Sequence, residues 1–349
     1  MPNHEPETKT GRCLVTTARA LALLALLLAG SACSSVAKPQ APLSESAVRL
    51  DLPLVHQDAL YDCGLASISA LCQYWGIEIP AAVTVTGDLA EATAGIALAL
   101  VATPVAGLRE ILRKLKPPLV WLCKGFEQGS GALPHQIAAE VLGDGARFGA
   151  LSGPSFAEEV ARGLPCALTL ASRDAAFARE AAAIVHGGRM RVYYSADLVG
   201  VEIGGAVKNV MAIAAGISDG LGLGLNARAA LITRGLAEIT RLGMVLGAAP
   251  ETLMGLAGAG DLILTATGEL SRNRRVGVEL ARGKSLADIL KDLGHVAEGV
   301  RSANEVLKLS KKKGVEMPVT EAVNAVLEGQ LKPAAAVERL LSRDLKREG

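Results

Sequence analysis

The sequence predicts an α/β fold: an incomplete doubly wound parallel sheet followed by an all-helical C-terminal domain. Between about residues 83 and 196, short apolar runs alternate with helical patterns, as in a parallel sheet covered on both faces. From about residue 197 the strand signals stop and long helical patterns continue to about residue 345. The word incomplete rests on a third observation. Sheets of this kind commonly open with a strand and a G-x-G-x-x-G turn, and no such motif occurs before residue 83.

Composition agrees with this class. The 349 residues are 50% hydrophobic but only 3% aromatic, so the core must be built from Ala, Leu, Val and Ile. A net charge of +1 supplies no whole-molecule attraction to nucleic acid or to an anionic membrane. "SRNRR" and "KLSKKKG" are local basic clusters, the second a solvated helix end, so no nucleic-acid partner is expected. The six cysteines form no C-x-x-C pair and have no histidine at metal-ligand spacing, so no metal site is expected.

Residues 1–47 read as a targeting segment and tether. Lys9, Arg12 and Arg19 precede "ALALLALLLAG", a run too short to span a bilayer, and small residues follow in "SACSS". The pattern resembles a bacterial lipoprotein signal, in which Cys33 would carry a lipid anchor. Gly30 stands where that pattern usually has Leu.

Residues 48–82 read as a strand followed by a helix. Cys63 opens the apolar helical pattern "CGLASISALCQYWG", and a thiol at a helix N-terminus is a standard way to stabilise a thiolate. "HQDALYDCGLASISAL" resembles the opening of the papain-like C39 peptidases, with Gln57 as oxyanion donor and Cys63 as nucleophile. The resemblance covers about thirty residues. Such a site also needs a histidine base, and His135, His186 and His295 lie in contexts unlike that family's. A buried strand–helix unit with an inert cysteine is the better reading.

From residue 83 the alternation is explicit. "GIALALVATP" and "PLVWLCKG" are buried strands, with "LREILRKLKP" helical between them and "LPHQIAAEVLG" helical after. "RFGALSGPSFAEEVARG" gives strand, turn and helix start, with Ser155 placed to cap. "CALTLAS", a further helix and "RVYYS" complete the domain.

In the helical part, Lys208 is the only charge in the apolar stretch between Glu202 and Asp219. Gly204 and Gly205 permit close backbone approach there. A lysine held in such a helix is desolvated, which lowers its pKa toward values useful for proton transfer. A lysine that snorkels to the surface fits the spacing equally well. "GLAGAGDLILTATGELSRNRRVG" places Asp261 after a glycine turn and presents Ser271, Arg272 and Asn273 together, donors suited to a phosphate. A solvated basic turn is the alternative. "GLGLNA" at 222–227 fits a looser glycine pattern but follows a helix, which disqualifies it as a phosphate loop.

These segments carry a resemblance. "LSGPSFAEEVARGLP", "GVEIGGAVKNVMAIAAGISDGLGLG", "NARAALITRGLAEITRLG", "GLAGAGDLILTATGELSRNRRVG", "VAEGV" and "GVEMPVTEAV" resemble, in order, the bacterial NAD(P)-dependent glycerol-3-phosphate dehydrogenases. The resemblance spans about residues 83–345 and implies a Rossmann-like sheet with an NAD or NADP cofactor. It implies reversible hydride transfer between NAD(P)H and dihydroxyacetone phosphate, giving sn-glycerol 3-phosphate for phospholipid synthesis. Lys208 then matches the catalytic acid/base. Lys124, Gly153, Ser155, Lys208, Asp261, Ser271, Arg272 and Asn273 match substrate positions. Lys124, Ala157, Arg272, Val296 and Glu298 match cofactor contacts. A cytoplasmic location and a homodimer follow from the resemblance, whereas residues 1–33 point to a membrane-anchored lipoprotein. Thr103-Pro104-Val105 departs from the family's usual V-P-S, and the missing glycine loop implies impaired cofactor binding. Two rivals stand beside this reading: a tethered thiol peptidase using Cys63, and a non-catalytic lipoprotein.

Overall fold

The computed structural model describes residues 89–342, apart from 117, 144 and 294–296. The segments read above as a lipoprotein signal and as a peptidase-like fragment, with Cys33, Gln57 and Cys63, lie outside the described residues, as do His295 and Val296. A short helix α1 (Leu89–Thr93) leads into alternating strands and helices. These are β1 (Ala99–Val101), α2 (Val105–Lys114), β2 (Leu119–Trp121), α3 (Pro134–Leu142), β3 (Phe148–Ser152), α4 (Ala157–Ala161), β4 (Cys166–Ala171), α5 (Ala175–Val185) and β5 (Met190–Ser195).

The five strands lie in the order β1-β2-β3-β4-β5. β1, β2 and β3 pair in parallel, with Val101 beside Trp121 and Trp121 beside Ala150. The expectation of a wholly parallel sheet needs one correction: β4 runs antiparallel to β3, with Leu151 opposite Leu170, and β5 is parallel to β4. The connection between β3 and β4 holds only the five-residue α4, too little to carry the chain back across the sheet for a parallel return.

β2 is buried along its whole length. Leu119 and Trp121 pack with Leu108, Leu112 and Ile137 of α2 and α3 on one face, while Val120 joins Leu170 and Phe177 on the face covered by α5. This explains its unbroken apolar run. Ser155 is not a cap: α4 starts after Phe156, and the Ser155 hydroxyl donates to the Gly153 carbonyl at 3.3 Å. The Gly153-Pro154 turn intervenes before the helix.

Beyond β5 every described element is helical. α6 (Leu198–Gly220) is followed by α7 (Gly224–Val245), α8 (Pro250–Met254) and a π-helical turn (Leu256–Gly260). Next come α9 (Asp261–Thr267), α10 (Arg272–Ala281), α11 (Leu286–Leu293), α12 (Glu298–Lys312), α13 (Pro318–Leu327) and α14 (Pro333–Leu341).

α6 organises this half. Its 23 residues span about 34 Å, and nearly all are buried among the other helices, so it is apolar on every side. Asp197 caps its start, accepting from Gly200 N at 2.7 Å, and its other oxygen accepts from Ala249 N at 2.8 Å. Near its far end α6 crosses α10 with backbone against backbone. A Cβ on Gly216 would lie 2.0 Å from the Arg274 carbonyl oxygen, and one on Gly277 2.1 Å from that of Ile213. Only glycine fits at this crossing.

Candidate active site

The site forms where the carboxyl ends of the parallel strands meet α6, α9 and α12. Lys208 is carried on the buried middle of α6 and is only 6% exposed, so it does not snorkel to solvent. Gly204 and Gly205 make room around it. A Cβ on Gly204 would meet the Ala257 carbonyl oxygen at 2.5 Å, and one on Gly205 would meet the Ser152 hydroxyl at 3.0 Å and the Lys124 stem at 3.3 Å.

Asp261 opens α9 directly after the π-helical turn and points back at α6. Its Oδ1 accepts from Lys208 Nζ at 2.5 Å, and its Oδ2 accepts from Lys124 Nζ at 2.6 Å. Thr265, one helical turn further on, accepts from Lys208 Nζ at 2.8 Å and donates to the Asp261 carbonyl at 2.7 Å. Lys124 also reaches the Gly153 carbonyl at 3.4 Å. Two ammonium groups therefore share one carboxylate that is itself 1% exposed.

The electrostatics follow from this crowding. Burial pushes the Lys208 pKa down to about 8, assisted by the charge on Lys124 and resisted by Asp261 and Glu298. For Asp261, burial acts upward, but the two lysines outweigh it and hold the carboxyl below its ordinary range. Burial raises the Glu298 pKa, with Lys124, Lys208 and Arg272 opposing.

A second chain of hydrogen bonds lies alongside. Asn209, next to Lys208, donates to Glu298 Oε2 at 3.3 Å and accepts from Asn273 Nδ2 at 3.0 Å. Asn273 Oδ1 accepts from Gly299 N at 2.9 Å at the start of α12. Ser271 caps α10, accepting from Arg274 N at 3.2 Å, which leaves Arg272 exposed in the first turn. Arg274 turns away and clasps Asp219 at 2.6 Å, so the basic run divides into the exposed Arg272 and Arg275 and the structural Arg274.

Of the residues expected at the site, Lys124, Gly153, Ser155, Lys208 and Asp261 are joined by the first set of hydrogen bonds, and Asn273 and Glu298 by the second. Ala157 begins α4, two residues after Ser155. Thr265 was missed, although its i+4 spacing from Asp261 places both on one helix face. Asn209 stood unexplained beside Lys208 and proves to be the link between Asn273 and Glu298. Of the described histidines, His135 is tied to Glu202, and His186 accepts from Val192 N at 3.1 Å.

Two buried hydroxyls test whether a dinucleotide fits. Thr103, just past β1, and Ser152, the last residue of β3, have hydroxyl oxygens without a hydrogen-bond partner among the described residues. Both lie at the carboxyl edge of the parallel strands, the edge at which ligands bind in open α/β sheets. With Lys124, Asn209 and Glu298 close by, the residues present suit the nicotinamide end of such a cofactor. For the pyrophosphate end the described residues hold no glycine-rich strand–turn–helix.

A dinucleotide-type sheet joined to a helical domain that presents a desolvated lysine defines a two-domain dehydrogenase architecture. Two family models match: NAD-dependent glycerol-3-phosphate dehydrogenase N-terminus over residues 73–178, and the C-terminus of the same family over residues 197–338. The first match begins within the stretch read as peptidase-like. A glycerol-3-phosphate dehydrogenase [NAD(P)+] from Dechloromonas aromatica is 62% identical over 278 residues, covering 78% of this chain and 84% of that protein. A second from Aromatoleum aromaticum is 60% identical over 279 residues, covering 78% and 85%. The crystal structure of the Coxiella burnetii glycerol-3-phosphate dehydrogenase superimposes with a TM-score of 0.69 at 42% identity, over 73% of this chain and 80% of that one. The chain belongs to the NAD(P)-dependent glycerol-3-phosphate dehydrogenase family, a family of oxidoreductases.

Proposed function

We propose that the site interconverts dihydroxyacetone phosphate and sn-glycerol 3-phosphate, supplying the latter for phospholipid synthesis. The observation that carries this reading is the buried Lys208, bonded to Asp261 and Thr265 and depressed to about 8. In this reading a bound NAD(P)H would supply the hydride for the ketone carbon. Lys208 gives its proton to the oxygen that gains charge there, and takes it back in the reverse direction. Asp261 accepts from both lysines and keeps them aimed into the site. Lys124 helps to hold the ligand's negative charge, and Arg272, with the Ser271 and Asn273 groups, receives the phosphate. Gly153 and Ser155 line the substrate side. Lys124, Ala157, Arg272, Val296 and Glu298 contact the cofactor, with Lys124 and Arg272 near both ligands.

The missing G-x-G-x-x-G bears on the rest of the cofactor. Pyrophosphate is bound by backbone N–H groups that glycine leaves accessible. The segment standing upstream, "HQDALYDCG", offers Asp58 and Asp62 instead. Dinucleotide affinity is accordingly severely weakened in this chain, and turnover with it. Lys208→Ala tests the assignment: dehydrogenase turnover should disappear while phosphate-ester binding persists in part. Parental turnover in that variant removes Lys208 from the mechanism.

The cytoplasmic location and homodimer rest on the resemblance alone, and the Cys33 anchor on the signal-like sequence. Fatty-acid labelling that depends on Cys33 would place the chain at a membrane, and light scattering gives the oligomeric state.

A further inference from the structure

Glu202 is a buried carboxylate that the reaction does not use. It lies on α6 six residues before Lys208, about 9 Å along the helix axis. All its hydrogen bonds come from the sheet side. Oε1 accepts from Trp121 Nε1 at 3.1 Å and from His135 N at 2.9 Å, and Oε2 meets His135 Nδ1. Trp121 is the last residue of β2, three before Lys124, and His135 lies in the first turn of α3. All three side chains are buried.

Burying a carboxylate is costly, and an apolar side chain of similar size could fill the space. The structural problem nearby explains what the carboxylate does. Lys124 and Lys208 are like charges drawn to one carboxylate, and their repulsion acts to part them. Lys124 sits on a loop leaving a three-residue strand, a weak mount by itself. Glu202 ties the end of that strand to the helix bearing Lys208.

We propose that Glu202, held by Trp121 and His135, is a positioning residue that fixes the end of β2 against α6 and so sets how close Lys124 sits to Lys208. It touches neither substrate nor cofactor in this reading. Releasing it lets the two ammonium groups separate, which lifts the like-charge pressure on Lys208.

The test reads Lys208 directly in the full-length chain without ligand, so its outcome is separate from whether the chain binds a dinucleotide or turns over. Lysine labelled with ¹³C at Cε is titrated by NMR, with the Lys208 signal assigned through Lys208→Arg. The groups facing Lys208 are Asp261 and Thr265 from α9, Lys124 from the β2 loop and Glu298 from α12. In Glu202→Gln the midpoint should rise by about one unit. Direct electrostatics would move it the other way, because removing a negative charge disfavours an ammonium. Trp121→Phe, which deletes one donor, should give a smaller rise and serves where Glu202→Gln does not fold. Val185→Ala, a cavity in the separate core under α5, should lower Tm and leave the midpoint in place. An unchanged or lowered midpoint in Glu202→Gln, or in Trp121→Phe when that variant has to stand in for it, overturns the proposal. So does an equal rise in Val185→Ala.

Discussion

Lys208 and Asp261 stand 53 positions apart in the chain and meet at 2.5 Å in its interior. The carboxylate is already engaged on its other oxygen by Lys124. One anion thus answers for two cations in a space from which water is largely excluded. The stability of this half of the molecule and its chemistry are therefore tied to the same three side chains.

Removing the anion should be more disruptive than removing either cation. Asp261→Asn removes the carboxylate that bonds both the buried Lys208 and the partly buried Lys124, and a loss of about 3–5 kcal/mol is expected. Urea unfolding of the full chain measures it. A loss below about 1 kcal/mol would show that the lysines relax to solvent.

The depressed Lys208 sets a direction for pH. Glycerol 3-phosphate oxidation needs the neutral amine, so its kcat should rise with pH through a midpoint near 8. Reduction needs the ammonium and should fall over the same range. Rate against pH in both directions checks this, and in Lys208→Ala turnover should fall by about 10²–10⁴-fold with that limb absent.

The absent glycine turn predicts weak dinucleotide binding. Titration of the chain with NADH and NADPH, followed by nicotinamide fluorescence, should show no saturation at micromolar concentration. Tight binding of either would mean that residues before 83 supply a cradle of a different kind.

Glu238 predicts a separate pH effect on folding. It accepts from Val319 N at 2.6 Å, from Thr320 N at 3.1 Å and from the Thr320 hydroxyl at 3.0 Å, serving the first turn of α13. Burial nevertheless raises its pKa from 4.5 to about 7, against these donors. The folded state holds this proton more tightly than the unfolded chain. The contribution to stability is therefore full below about 4.5 and disappears as pH rises through 7. Glu238→Gln should flatten the decline in stability over that window, measured by urea unfolding at several pH values.

The α6–α10 crossing supplies a steric prediction. Gly277→Ala drives a methyl into the Ile213 carbonyl and should cost more than about 1–3 kcal/mol, the usual range for overpacking. Thermal unfolding checks it, and Gly283→Ala, where no atom lies near, is the comparison for the steric term, its positive φ adding only local strain.

Much of this was legible in the sequence for identifiable reasons. The lone charge between Glu202 and Asp219 singled out Lys208 without deciding between a desolvated and a snorkelling side chain, and strand–helix alternation marked the sheet. Strand direction was not legible, because β4 has the same apolar pattern whichever way it runs. Nor was the role of Glu202, whose partners lie 81 and 67 positions away and leave no periodic trace. Ser155 misled because a hydroxyl after proline looks like a cap, whereas here the turn delays the helix.

The glycine crossing of α6 and α10 has a consequence for how this site tolerates sequence drift. Where helices meet through interlocking side chains, each exchange of a large residue for a small one alters their spacing. Here the contact is main chain on main chain, and its distance does not depend on which aliphatic residues fill the rest of the interior. The crossing acts as a fixed pivot, so Lys208 on one rod and Asn273 on the other keep their separation while the surrounding Ala, Val, Ile and Leu are traded for one another.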